Sequence, residues 1–439
     1  MTKAPNTGSF SNQRGLMFLL VYGIYQLLWF VLLPLAFIRL WWRGRFEKGY
    51  RQHWAERLGF YSNPGFKQKP VWIHAVSVGE TRAAAPLIEA LLAQGQVIVL
   101  THMTPTGRKT GADLFANAIA NGSLVQAYLP YDGCGPVARF LAHFQPLLGA
   151  VMETEAWPTL VFYSQKKQFP LLLINGRLSD RSARRIAKFG NLGRQLFQGF
   201  YKVLAQTTLD QERYQSLGVT RCEVTGNLKF DVTLNPEAIN AGVQWRSNLD
   251  HRLVVCAAST REGEEELILE AWKRLAHPQK PLLLIVPRHP QRFDEVANLV
   301  ANAGFSFVRK SQTSINAKIE ADVFIGDSMG EMPMYLAMSD FVLMGGSLLP
   351  FGGQNLIEPC ALAKPVILGP HTFNFSQASV DALTAGAAIA TTPEVLSDSL
   401  DQWITNPNAL EAASNAALQF ANRYRGATER TMAHLRQLF

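Results

Sequence analysis

Two series of short apolar runs, separated by stretches with helical spacing, set the narrowest limit on what this chain can become. The first series is Val71–Val76, Val97–Leu100, Leu147–Met152, Leu171–Ile174 and Val203–Ala205, with helical stretches such as Thr81–Ala93 and Trp157–Gln165 between them. The second is Leu253–Ala257, Leu282–Val286, Val323–Ile325, Phe341–Met344, Val366–Leu368 and Ala387–Ala390. Strands that alternate with helices form parallel sheets covered on both faces. The chain is therefore expected to fold as two doubly wound, Rossmann-like α/β domains joined near residues 231–250. In such folds ligands lie beyond the carboxyl ends of the strands, so residues that follow the apolar runs are the ones to read for chemistry.

A length of 439 residues exceeds one ordinary domain, and 48% hydrophobic with 17% charged residues is a globular composition. The division expected is a membrane anchor over 1–42, an N-terminal α/β domain over 43–234 and a C-terminal α/β domain over 235–439. From Leu16 to Ile38 no charge interrupts a run of apolar and aromatic residues, long enough to cross a hydrocarbon core of about 30 Å as a helix. An apolar helix lying at the interface, or buried against a partner, is the alternative. Arg39, Arg43, Arg45, Lys48, Arg51 and Arg57 follow it, against only Lys3 and Arg14 before it. By the bias of cations toward the cytoplasmic side, the large C-terminal portion is expected in the cytoplasm. The net charge of +8 favours anionic partners. Cys134, Cys222, Cys256 and Cys360 are scattered without a C-x-x-C pair, which argues against a zinc site or a disulfide framework.

The stretch Gly345 to Pro359 follows the run Phe341–Met344 and leads into a helical pattern beginning near Asn355. Its glycine pairs, Gly345-Gly346 and Gly352-Gly353 around Ser347, let a backbone approach a ligand closely, and free N–H groups with a helix N-terminus at Asn355 suit a phosphate. Glu358, about one turn further on, can accept hydrogen bonds from ribose hydroxyls. Together these read as a nucleotide-sugar donor site; an ordinary glycine-rich turn is the competing reading.

Three places in the first domain stand out. Ser77-Val78-Gly79-Glu80 leaves Glu80 near a helix start, and S-x-x-E is also the spacing of a capping box, so the two readings coexist. His74, inside the strand run, reads as a satisfied core residue. Glu153 and Glu155 close the run Leu147–Met152, and which of them faces a ligand stays open. Arg177 precedes a helix on which Arg181, Arg184, Arg185 and Lys188 align at i, i+3, i+4, i+7. That face is either solvated or a receptor for lipid phosphates. Gly226 to Asp231 places Lys229 near the domain's end.

In the second domain, Ala258 to Glu264 reads as a helix start rich in acid. Arg288, after Pro287, offers a guanidinium to a phosphate or carboxylate, and the turn Asp327 to Glu331, with Met329 and Gly330, has backbone groups able to read a base edge. No D-x-D pair occurs, so no metal-bound diphosphate donor is expected.

Seven segments in order resemble one family, the bacterial 3-deoxy-D-manno-octulosonic acid (Kdo) transferases of lipopolysaccharide biosynthesis. They are H-A-V-S-V-G-E (74–80), E-T-E-x-W-P (153–158), N-x-R-L-S-x-R-S (175–182), G-N-x-K-F-D (226–231), P-R-H-P (287–290), M-G-E (329–331) and G-G-S-L with G-G-x-N-x-x-E-P (345–359). The resemblance implies a GT-B glycosyltransferase, with acceptor and donor domains facing a cleft. Its donor would be CMP-Kdo and its acceptor the lipid A precursor (lipid IVA), at the inner membrane, with no metal, cofactor or nucleic acid. It implies Glu80 as general base, with Lys229 and one of Glu153 and Glu155 stabilising the transition state. Pro287, Arg288, Met329, Gly330, Glu331, Asn355, Leu356, Ile357 and Glu358 would contact CMP. Gln354, where many members have His, and Ala156, where a larger apolar residue is common, depart from the pattern.

An ordinary glutamate pKa of about 4.3 would leave Glu80 ionised at neutral pH. Two rival classes share much of this pattern: a GT-B enzyme using a UDP-sugar on lipid, and a non-catalytic binder of nucleotide sugars. CMP against UDP protection separates the first, and a dispensable Glu80 would mark the second.

Overall fold

The computed structural model describes residues 16–62, 66–231, 235–249, 252–275, 277 and 280–439, without the side chains of 16–19. Lys3 and Arg14, used above to orient the anchor, lie outside the described residues, as do 232–234 and 250–251 in the expected joint. The chain divides into two compact units, one of residues 1–232 with 426–439 and one of residues 233–425.

Unit 1 holds seven parallel strands: β1 (Val71–His74), β2 (Ile98–His102), β3 (Leu124–Tyr128), β4 (Leu148–Met152), β5 (Leu171–Gly176), β6 (Lys202–Ala205) and β7 (Cys222–Val224), in the order β3-β2-β1-β4-β5-β6-β7. Successive side chains point to opposite faces. Trp72, Val99, Val151, Leu173 and Val203 fill one core, while Ile73, Leu100, Ala150, Leu172 and Leu204 fill the other. Both faces are apolar because helices cover both. The apolar-run reading missed β3, where Gln126 interrupts the pattern, and β7, a three-residue edge strand with two exposed positions.

The N-terminal apolar segment is one helix, Leu16–Arg43, and its portion Leu20–Arg43 is long and apolar enough to cross a membrane. One of its faces is packed on unit 1. Tyr25 donates to the Asp132 carboxylate at 2.8 Å, Gln26 donates to Thr159 Oγ1 at 2.6 Å and accepts from Cys134 N–H at 2.9 Å, and Trp29 stacks on Tyr131 at 5.4 Å. Phe37 continues the same face onto Trp54, 5.2 Å away. Leu20, Ile24, Leu27, Phe30, Val31, Leu35 and Ile38 remain exposed on the rest of the helix.

Unit 2 holds β8 (Val254–Thr260), β9 (Leu282–Pro287), β10 (Phe307–Arg309), β11 (Val323–Ile325), β12 (Phe341–Met344), β13 (Val366–Leu368) and β14 (Ala388–Ala390), all parallel, in the order β10-β11-β9-β8-β12-β13-β14. β10 is a half-buried edge strand that the apolar runs did not mark. Val255, Ala257, Leu283, Ile285 and Leu343 meet Ile268, Trp272, Leu400 and Trp403 from the covering helices.

The C-terminal domain does not run unbroken to residue 439 as expected, because residues 426–439 belong to unit 1. Ala427, Met432 and Leu435 of the helix Ala427–Leu435 are fully buried in the cluster that contains Leu87 and Leu91 of the helix Val78–Ala93. Asp231 anchors the return by accepting the N–H groups of Gly426, at 2.7 Å, and Thr428.

Candidate active site

In unit 1, β1 ends at His74 and Ser77 caps the helix that follows, accepting the N–H of Glu80. The capping-box reading holds. Glu80 Oε2 accepts the N–H of Val76 at 2.9 Å and Oε1 accepts the hydroxyl of Ser77 at 3.0 Å, so the carboxylate is held rigidly at the strand's carboxyl end. The expectation of an ordinary pKa is corrected. Burial pushes Glu80 up to about 7, with Glu153 and Glu155 adding like-charge repulsion against the pull of those two hydrogen bonds.

β4 delivers the other two carboxylates differently. Glu153 has a left-handed backbone, φ +56°, in a region that costs a non-glycine residue free energy and persists only where surroundings enforce it. Its N–H donates to Ile174 O at 3.0 Å and its carbonyl accepts Arg177 N–H at 3.3 Å, so β5 enforces the turn. The outcome is an ion pair between Glu153 Oε1 and Lys229 Nζ at 2.6 Å. Glu155 instead accepts the indole N–H of Trp157 at 2.6 Å and faces His74 Nε2 at 3.9 Å. Burial raises the Glu155 carboxyl and drives His74 down to about 3, so that imidazole is neutral and the contact is not an ion pair at neutral pH. His74 is a core residue, as read, with Nδ1 at 2.9 Å from Thr101 Oγ1, but its buried Nε2 has no hydrogen-bond partner.

Lys229 sits in the turn Leu228–Phe230, which Asn227 caps from within by accepting the N–H of Lys229 at 3.0 Å. Asn175, buried at the end of β5 with φ +51°, secures that turn by accepting the N–H of Leu228 at 3.0 Å. The sequence signal for Asn175 is a polar residue near the end of an otherwise apolar strand. Glu80, Glu153, Glu155 and Lys229 are thus all brought to the carboxyl ends of β1, β4 and β5. Arg177, whose N–H donates to Glu153 O, is exposed directly after β5, and Arg181, Arg184, Arg185 and Lys188 are exposed on the helix Asp180–Lys188, where Arg184 pairs with Asp180.

In unit 2 the glycine-rich segment follows β12, and two expectations about it change. First, the N–H groups of Gly346 and Leu348 are not free. Glu264, fully buried, accepts Gly346 N–H at 2.6 Å, Leu348 N–H at 3.0 Å and Arg261 N–H at 2.9 Å. Glu264 ties the loop to the end of β8, a role that sequence reading passed over as ordinary helix-start acid. Glycine is required here: a Cβ at Gly345 would stand 2.4 Å from Ser259 O, and Gly346 has φ +71°. Second, the helix is Ile357–Ala361, five residues that begin after Asn355. Asn355, just before the N-cap Leu356, accepts Ile357 N–H at 3.1 Å and donates to Glu358 Oε1 at 3.0 Å.

The Ser347 hydroxyl is also engaged within the protein. Its buried hydroxyl donates to Met344 O and accepts Gly369 N–H at 2.8 Å, so it ties the loop to the interior. Leu356 and Ile357 are buried as well, leaving Asn355 and Glu358 as the half-exposed side chains of that motif. Gly352 and Gly353 have φ +94° and +74°, and Gly353 N–H closes the loop on Gly346 O at 2.7 Å. Pro287 ends β9, Arg288 follows it exposed, and Met329 and Gly330 form an exposed turn before Glu331, which pairs with Lys310 at 2.7 Å.

Two parallel-sheet α/β units of this kind make up the GT-B glycosyltransferase architecture, and solved structures share it. A glycosyltransferase from Rickettsia africae ESF-5 matches with TM-score 0.56 at 14% identity, covering 84% of this chain and 99% of that one. UDP-GlcNAc 2-epimerase from Neisseria meningitidis matches with TM-score 0.55 at 15% identity, over 84% of this chain and 100% of that one.

A family model described as 3-Deoxy-D-manno-octulosonic-acid transferase (kdotransferase) matches residues 52–232. The 3-deoxy-D-manno-octulosonic acid transferase of Bordetella pertussis is 42% identical over 93% of this chain and 97% of the relative, and that of Haemophilus influenzae is 35% identical over 87% and 90%. The chain belongs to the 3-deoxy-D-manno-octulosonic acid transferase family.

Proposed function

We propose that the protein transfers Kdo from CMP-Kdo to a hydroxyl of the lipid A precursor lipid IVA, with inversion, at the cytoplasmic face of the bacterial inner membrane. The observation that carries this reading is Glu80, a carboxylate fixed by Val76 and Ser77 and pushed to about 7. A general base is most effective with its pKa near the working pH, and burial brings Glu80 there. In the reaction the acceptor oxygen bonds to the anomeric carbon of Kdo, its proton passes to Glu80, and the bond from that carbon to the phosphate oxygen breaks, so CMP leaves with the electron pair. The sugar gains oxocarbenium character while negative charge grows on the phosphate. Arg288 stabilises the leaving phosphate, and Glu358 and Asn355 hold the nucleoside. Lys229, paired with Glu153 at 2.6 Å, supplies a fixed cation that answers charge developing at the reacting centre. No metal enters this scheme, so a chelator should leave turnover unchanged.

The acceptor carries lipid chains, and two surfaces of unit 1 suit it. The exposed face of the N-terminal helix offers apolar area to a membrane, while Arg181, Arg185 and Lys188 offer cations to its phosphates. Because Tyr25, Gln26 and Trp29 hold the helix against the domain, the helix serves as an anchor that carries the catalytic body with it. The test is mass spectrometry of lipid IVA incubated with the protein and CMP-Kdo. A mass increase of one or more Kdo units is expected. No product with CMP-Kdo, together with product from a UDP-sugar, would overturn the reading.

A further inference from the structure

Two backbone donors of the loop read from sequence as a phosphate cradle, the N–H groups of Gly346 and Leu348, are taken by Glu264, so part of the hold on an anion there falls to side chains. One side chain is in place. Arg261 directly follows β8 and Arg288 directly follows β9, and the last residues of those strands, Thr260 and Pro287, are register partners. Arg288 N–H donates to Thr260 O at 3.0 Å. The two arginines therefore leave neighbouring strands side by side, where strand backbones are about 4.8 Å apart.

Neither guanidinium has an ion-pair partner among the described residues, while the acids around them are occupied. Glu264 is held by three backbone N–H groups, and Glu265 by the Thr260 hydroxyl at 2.6 Å and by Arg292 at 2.8 and 3.0 Å. Arg292 also binds Glu295 at 3.0 Å. The charge left over is felt locally: His289 is lowered by burial and then by Arg261, Arg288 and Arg292. Two arginines on neighbouring strand ends without ion-pair partners repel each other, and an anion bound near them relieves the repulsion.

The path of Arg261 points the same way. Its guanidinium lies 4.5 Å from the centre of the Phe351 ring, and its Cγ lies 3.6 Å from where a Cβ on Gly346 would be. It is laid along the glycine loop. Glu264 fixes its backbone, and Phe351 orients the planar group by cation–π contact.

We propose that Arg261 is a second anion-binding residue of the donor site, acting beside Arg288 and holding the phosphate or the sugar carboxylate of the donor over the glycine loop. This rests on the donor reading given above. A nucleotide-activated Kdo carries two anionic groups, a phosphodiester and a carboxylate, and a pair of guanidiniums matches that count.

The experiment compares wild type, Arg261→Gln and Arg261→Lys as full-length protein, by calorimetry with CMP and by KM for CMP-Kdo. The glutamine variant is expected to lose about tenfold or more, the scale of one charge-assisted contact, with an unchanged melting temperature, because only the side chain outside the Glu264 clamp is altered. A loss already present with CMP assigns Arg261 to the phosphate, and a loss confined to CMP-Kdo assigns it to the carboxylate. In either case the lysine variant recovers part of the loss, since it keeps the charge. Wild-type affinity for CMP together with a wild-type KM in Arg261→Gln overturns the proposal. If wild type itself fails to bind CMP, the donor reading falls, and the same variants are compared with UDP and a UDP-sugar. A tenfold loss there supports Arg261 on its own, and none overturns it.

Discussion

Under the proposed reaction, Glu80 combines two roles in one residue. Its backbone and carboxylate complete a helix cap with Ser77, while burial and two neighbouring acids make it a proton acceptor near neutrality. Glu80→Gln keeps the size and one acceptor oxygen but takes no proton, so turnover should fall by on the order of 10²–10⁴ with CMP affinity retained. Near-normal Kdo transfer would move the base to Glu153 or Glu155. The pH profile of wild-type turnover should rise through about pH 7 as Glu80 ionises. Glu155→Gln, by removing one repelling charge, should shift that rise to lower pH; Lys229, already paired with Glu153, and the neutral His74 remain in place.

Stability gives an independent reading of the same group. A carboxyl whose pKa is raised on folding contributes stability that is present below its unfolded pKa of about 4.3 and is lost as pH rises through the folded value. Differential scanning should therefore find Glu80→Gln gaining on wild type between pH 5 and pH 8. In unit 2, Arg288→Ala should weaken CMP binding by roughly 1.5–3 kcal/mol, the worth of a hydrogen bond to a charged group, and an unchanged dissociation constant would remove it from the site.

At the scale of elements, the glycine loop and the N-terminal helix are each held by a buried acid. Glu264 joins the end of β8 to the loop after β12 by accepting from Arg261, Gly346 and Leu348. Glu264→Ala would orphan three N–H groups, each costing about 1–3 kcal/mol when buried without a partner. Amide exchange at Gly346 and Leu348 should accelerate together, and CMP affinity should fall with it. Asp132 plays the corresponding part in unit 1, receiving Tyr25 from the N-terminal helix and the N–H groups of Thr159 and Leu160 at 2.8 and 3.0 Å. Deleting residues 1–43 should release the protein from membranes and still leave CMP binding. It should also lower the melting temperature, because Tyr131 and Trp54 lose the aromatic partners Trp29 and Phe37. Unchanged membrane partition after that deletion would count against the anchor.

For the whole molecule, chain order and unit membership part company at residue 426. The last fourteen residues, 426–439, complete unit 1. A stop after Arg425 would remove Ala427, Met432 and Leu435 from the core beside Leu87 and Leu91 and leave Asp231 without its two N–H partners. Losing a single large buried side chain costs about 2–5 kcal/mol, so the truncation should leave unit 1 sensitive to protease while unit 2 stays resistant. Equal resistance of both units would show that the tail is dispensable.

The sequence by itself determined the two parallel-sheet units, because apolar runs of strand length separated by helical patterns admit little else. It also determined where to look, at the residues after each run, and Glu80, Glu153 and Arg288 stand there, whereas Lys229 follows β7, a strand the runs did not mark. The short edge strands β7 and β10 escaped notice because an edge buries too few side chains to write a pattern. What only the tertiary structure decided is which group answers which. Glu153 and Glu155, two residues apart, go to Lys229 and to Trp157 because the left-handed turn at Glu153 separates them. Two of the glycine loop's donors, the N–H groups of Gly346 and Leu348, go to Glu264, 82 residues away from Gly346 in sequence. The pKa of Glu80 depends on burial and on charges delivered by another strand. Local spacing carries periodicity and caps, whereas hydrogen-bond partners, burial and electrostatic neighbours are assigned between segments distant along the chain, and these exist only once the sheets have formed.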